Sequence, residues 1–204
     1  MAEGNSTTAS GGNSHAEGSG TIASGGNSHA EGGATIASGL SSHAEGDSTV
    51  ASGSHSHAEG SGPEALGVAS HAEGYETTAS GENSHAEGAD TVSSGLASHA
   101  EGYGPTASGD CSHAEGEATI ASGQASHAEG SDTTADGNVA HAEGAHTIAW
   151  GDGSHAEGSS SGSTIRSTFT ISGSAGIMGY VSSQDHGLVV GSVIKYNNIY
   201  AAVV

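Results

Sequence analysis

The sequence predicts an all-β solenoid, built by stacking one 14-residue coil with two short strands per coil. Three observations carry this. The tetrapeptide HAEG occurs eleven times, always fourteen residues apart, with no insertion. Glycine supplies 36 of 204 residues and recurs about every seven, which a helix tolerates only at roughly 1 kcal/mol each time. Aromatic residues are 3% of the chain, so no globular core is available to the repeats. An unbroken short period means one structural unit stacked on itself.

The chain opens on a degenerate copy, with Met1 in the histidine slot and Ala2, Glu3 and Gly4 in register. In the complete copies the histidines are His15, His29, His43, His57, His71, His85, His99, His113, His127, His141 and His155. Their partners two residues on are Glu17, Glu31, Glu45, Glu59, Glu73, Glu87, Glu101, Glu115, Glu129, Glu143 and Glu157. Serine precedes the histidine in every copy but one, where Ala140 stands.

Each coil divides into two similar halves, as in Ser14-His15-Ala16-Glu17-Gly18 and Thr21-Ile22-Ala23-Ser24-Gly25. Each half reads as a five-residue strand followed by a two-residue link, with glycine serving a turn that needs positive φ. Side chains alternate along a strand, so Ser14 and Ala16 share one face and His15 and Glu17 the other. Likewise Thr21 and Ala23 oppose Ile22 and Ser24. The small Ser/Thr and Ala side chains are expected inside a thin, flattened coil. Pro63 and Pro105 fall at the Thr position, the first residue of a strand, where a missing N–H is tolerated.

Coils should stack in parallel about 4.8 Å apart, giving a rod of roughly 50 Å. Equivalent residues then form ladders: histidine, glutamate, and a mixed line of Thr8, Ile22, Ile36, Val50, Glu64, Thr78, Val92, Thr106, Ile120, Thr134 and Ile148. Two inward alanines per coil bury too little apolar area to offset the ordering of fourteen residues, which predicts further burial between chains.

After Gly158 the composition changes. Ser159 to Thr164 is a Ser/Gly-rich joint, followed by Ile165, Phe169, Ile171, Ile177, Met178, Tyr180 and Val181 and an apolar-rich stretch from Leu188 to Val204. Val193-Ile194-Lys195-Tyr196 and Ile199-Tyr200-Ala201-Ala202-Val203 flank Asn197-Asn198, predicting a hairpin with a primed turn. Two regions result: a repeat shaft over 1–158 and a small β-rich cap or tip over 159–204. Trp150, in the slot of Ser24, is expected to cover the solenoid end.

The pattern SxAxG-xx-[ST]xAxG-xx resembles the head repeats of trimeric autotransporter adhesins and related bacteriophage tail-fibre repeats. The resemblance covers about residues 1–158. It implies a left-handed parallel β-roll, three of which pack around a threefold axis. It also implies an inner strand, S-V-A-I-G in the family, whose variable side chains face the other chains. Ser-His-Ala-Glu-Gly is the most invariant match here, so His and Glu would stand where the family has an aliphatic pair. Residues outside the motif drift, as Gly26-Asn27, Leu40-Ser41 and Gln124-Ala125 do, whereas His and Glu do not. The His–Glu network is therefore expected at the trimer interface, with the aliphatic ladder of Ile22, Ile36, Ile120 and Ile148 as the alternative.

Chemistry narrows the function. The formal charge is −21, and the two basic residues, Arg166 and Lys195, lie beyond the repeats, which disfavours nucleic acid. Cys111 is alone in a drifting slot. Neighbouring Ser and His point to opposite faces and cannot pair as nucleophile and base, and no phosphate-binding loop is present. No catalytic residue and no cofactor is expected. The only candidate metal ligands are the His and Glu ladders, since imidazole and carboxylate bind zinc or nickel, and a structural network explains the same spacing. Glutamates should raise the histidine pKa values while burial and stacked imidazoles lower them, leaving the sign open.

No signal peptide is expected ahead of the repeats, and no apolar run is expected to span a membrane as a helix. The expected protein is a non-enzymatic structural and attachment fibre, a phage tail fibre or a segment of a bacterial surface adhesin. It would be a homotrimer, extracellular on a virion or cell, contacting a host protein or glycan without membrane insertion. Tyr180, Tyr196 and Tyr200 are the candidate tip contacts. The second reading is a metal- or pH-responsive module built on the ladders.

Overall fold

A computed structural model describes residues 1–159 with their side chains and the backbone of 193–196 and 199–202. Each coil contributes a long strand, such as His15–Ser19, and a short one, such as Ile22–Ala23. The long strands form a 12-stranded parallel sheet and the short ones an 11-stranded parallel sheet. Every strand pairs with its equivalents fourteen residues away: His71 with His57 and His85, Glu73 with Glu59 and Glu87.

The inward faces match the alternation in the sequence. Ala16 and Ala23 are fully buried, with Ser14 and Thr21 beside them, and the same holds up the stack. The core is therefore a line of methyl and hydroxyl groups between two sheets. Most inward serines are satisfied at the turn, as Ser84 Oγ donates to the Gly81 carbonyl at 2.7 Å, whereas Oγ of Ser112, Ser126 and Ser154 has no partner. The inward threonines are not satisfied: Oγ1 of Thr21, Thr35, Thr49, Thr77, Thr91, Thr119 and Thr133 is buried without a partner.

Pro63 and Pro105 fill the same slot, fully buried and without a hydroxyl. The slot thus needs bulk rather than a polar atom, and a buried unpaired hydroxyl costs about 1–3 kcal/mol. Thr77→Val keeps the shape and removes that cost. It should raise the melting temperature, whereas Ser84→Ala, which loses a made bond, should lower it by about 1 kcal/mol of stability. Thermal denaturation of both variants checks the contrast.

Two details differ from the sequence reading. The second strand is two residues rather than five, because Ser24 N and Gly25 N both bond to the Ala37 carbonyl and the chain curls away there. Glycine also has two separate roles. Gly18 and its equivalents take φ near +110°, as in Gly18 at +110° and Gly74 at +108°. Gly25 and its equivalents avoid positive φ but have no room: a Cβ on Gly81 would lie 2.0 Å from the Gly95 carbonyl oxygen. The links do contain positive φ, but mostly at residues other than glycine, such as Asn27 (59°), Ala34 (54°) and Val139 (55°). There the link N–H bonds to the preceding coil, as Ala34 N does to Ser19 O at 2.8 Å.

The predicted hairpin is present: Val193–Tyr196 pairs antiparallel with Ile199–Ala202, bringing Lys195 opposite Tyr200. The remainder of the expected cap or tip, Tyr180 included, lies outside the described residues. Trp150 does not cover the solenoid end as expected; it is 72% exposed, because its slot faces away from the alanine core. Among the described residues no helix is long and apolar enough to cross a membrane.

Candidate functional site

The long strand places His and Glu outward on one flat sheet, because Ala16 and its equivalents between them point in. In-register parallel pairing then fixes the side-chain spacing. Consecutive imidazoles stack with centroids 4.7–5.0 Å apart and planes within 8° from His15 to His155. The histidine side chains are about 36% exposed even with one chain present, since each ring is covered by its neighbours above and below.

Each carboxylate lies between two imidazoles. Glu87 Oε2 is 3.8 Å from Nε2 of His85, and its Oε1 is 3.9 Å from Nε2 of His99. Glu31 does the same with His29 and His43, at 3.9 and 4.0 Å. These separations are too long for hydrogen bonds. Nε2 of every histidine from His15 to His155 in the motif is buried with no hydrogen-bond partner. Glycine follows each glutamate, so the carboxylates border open grooves, one lined by Glu17, Gly18, Glu31 and Gly32 among others.

The electrostatics settle the sign left open above at three positions. Burial, then the neighbouring imidazole, lowers the pKa of His85 and His99; the same causes act on His127. The glutamates interact with each other more than expected. Hydrogen bonding to Glu101 and Glu73 raises Glu87 to about 7, and bonding to Glu129 and Glu101 raises Glu115 to about 7. The intervening Glu73, Glu101 and Glu129 are lowered by the same contacts. From Glu73 to Glu129, carboxyls that hold their proton more tightly alternate with ones that release it more readily, which eases the like-charge repulsion there. The sequence reading paired the glutamates with the histidines and so missed this, although twelve equally spaced glutamates were its visible signal.

The other candidates scatter. The aliphatic ladder lies outward on the opposite sheet, with Ile22, Ile120 and Ile148 exposed. Cys111 is a free, exposed cysteine in the left-handed backbone region (φ 56°), in a link. Tyr196 and Tyr200 fall on facing strands of the hairpin in adjacent registers, Tyr196 opposite Ile199 and Tyr200 opposite Lys195.

A stack of identical coils, alanine-filled and faced with unvarying side-chain ladders, defines a β-solenoid repeat protein. The chain matches the YadA head domain repeat (2 copies) over residues 2–28, 30–61, 72–98 and 114–140, more than half of its length. It belongs to that family, the head repeats of trimeric autotransporter adhesins, whose role is structural and adhesive rather than enzymatic. Adhesins of this family are homotrimeric, bind host surfaces and are displayed outside the cell. A search of curated proteins returned no match.

Proposed function

We propose that the chain is the rigid shaft of a homotrimeric attachment fibre, either a phage tail fibre or a segment of a bacterial surface adhesin. The His–Glu sheet packs toward the threefold axis, and residues 159–204 trimerise the chains or contact the receptor. The observation that carries this is the invariance of the half-buried His and Glu, in the segment most similar by its invariance to the family's inner strand, while the link residues vary. The thin alanine core supports it, since a second layer of burial supplies what two alanines per coil do not.

A uniform repeat cannot fix its own stagger, because a shift by one coil restores nearly every contact. The C-terminal block holds most of the large apolar residues and would set the register. Deleting residues 160–204 should convert discrete trimers into staggered or aggregated rods, read by sedimentation velocity. Clean trimers from the truncated chain would show that the block is a tip only. Loss of binding to host cells with assembly intact would assign Tyr180, Tyr196 and Tyr200 to the contact.

A further inference from the structure

We infer that the His–Glu face is a linear array of sites for a divalent first-row transition ion such as Zn²⁺, each built from one imidazole Nε2 and the carboxylates of two consecutive coils. The geometry at His43 is typical: Nε2 lies 4.0 Å from Oε1 of Glu31 and 3.8 Å from Oε2 of Glu45. Two ligands bound to Zn²⁺ at 2.0–2.2 Å with tetrahedral angles sit about 3.4 Å apart. The observed gaps are a few tenths of an ångström wider, within reach of a carboxylate rotation. Groups of three such residues, with one ligand atom each inside 4.8 Å of the others, recur along the ladder.

Two further observations point to a cation. The Nε2 atoms are buried and unpartnered, an arrangement with a cost unless something accepts the lone pair or the proton. A proton there would meet the Glu oxygens only at 3.6–4.0 Å, whereas a bound ion would contact both groups at once. In addition, residues 1–159 contain neither lysine nor arginine, so nothing in the shaft other than protons offsets its glutamates. In the single chain the grooves beside the glycines leave the carboxylates uncovered. Imidazole favours zinc, nickel and cobalt over calcium and magnesium, which take oxygen ligands.

Occupancy should alternate. Adjacent sites would share a glutamate, as those at His43 and His57 share Glu45, and would place two divalent charges about 4.9 Å apart. Filling every second coil doubles that separation and gives each ion its own pair of carboxylates, for about six ions per chain. This reading uses residues of one chain, so it does not depend on the trimer.

The test is calorimetric titration of the untagged, chelator-dialysed full chain with Zn²⁺ at neutral pH, and with Co²⁺ followed by visible absorption. The array predicts saturation near one ion per two motif histidines and Co²⁺ bands of tetrahedral intensity. Replacing His43, His57 and His71 together by Gln should remove at least one ion from the stoichiometry while circular dichroism is unchanged. If that variant does not fold, the Co²⁺ spectrum of the unaltered chain decides alone. Absent bands, no Zn²⁺ uptake, Ca²⁺ binding equal to Zn²⁺, or unchanged stoichiometry in a folded variant would each overturn the inference.

Discussion

Gly88→Ala should be among the most damaging single substitutions in the shaft, whereas Gly104→Ala should be nearly tolerated. Gly88 has φ +106°, and a Cβ there would lie 2.2 Å from the Gly102 carbonyl oxygen and 3.0 Å from its nitrogen. Those atoms belong to the ladder that joins one coil to the next, so relief requires breaking the stack. Backbone strain of about 1–3 kcal/mol and overpacking of a similar size both apply. Gly104 also has positive φ, at +74°, but nothing lies within 4 Å of its Cβ position. The equivalent residues Ala34 and Ala118 already adopt φ 54° and 52°. The expected losses are about 3 kcal/mol or more for Gly88→Ala and about 1 kcal/mol for Gly104→Ala. In melting temperature that is a shift of roughly 6–12 °C against 2–4 °C, read by thermal denaturation. Equal shifts would mean that the close coil-to-coil approach carries no energetic weight.

Stability should pass through a maximum between the acid losses of the histidines and the alkaline loss of Glu87 and Glu115. On the acid side, His85, His99 and His127 have folded pKa values below the ordinary 6.5. The unfolded chain then takes up protons first, so their contribution is full above about 6.5 and is lost as pH falls. On the alkaline side, Glu87 and Glu115 titrate near 7 in the fold instead of 4.5. They prefer their proton in the folded state, so their contribution is full below about 4.5 and is lost as pH rises through 7. Below 4.5, the lowered Glu73, Glu101 and Glu129 add a further acid loss as they are forced to protonate. The carboxylates are largely open to solvent, which screens each effect, so the shape of the profile is the readout. Converting Glu87 and Glu115 to Gln should flatten the alkaline limb and leave the acid limb in place. A melting temperature constant from about pH 5 to 8 would remove these ladders from any role in stability.

Much of this was legible in the chain. A fixed period with alternating small and large residues leaves one folding solution, so the parallel stack and the inward Ser, Thr and Ala follow from the residues alone. The prolines at the Thr slot were readable too, as that position donates no bond the fold cannot spare. What was not legible depends on the third dimension of the stack. Gly25 and Gly18 look alike in sequence, and a carbonyl of the next coil crowds both, yet only Gly18 also needs a positive φ. The left-handed links carry Ala, Ser, Asp and Val, because the bond to the coil before holds their backbone, and this leaves no residue signature. Proton sharing among the glutamates requires the carboxyls to reach one another, which period alone does not establish.

The central claim is that three chains meet through the His–Glu sheet, and interchain disulfide formation tests it most directly. In a Cys111→Ser background, one cysteine would be introduced on each sheet: Glu87→Cys on the ladder face, and Val92→Cys on the opposite, aliphatic face. Cysteines whose Cα atoms approach within about 7 Å can be bridged. The account predicts that Glu87→Cys gives covalent dimers under mild oxidation at low protein concentration, and that Val92→Cys gives none. Dimers from Val92→Cys alone would contradict it and place the aliphatic ladder at the axis instead.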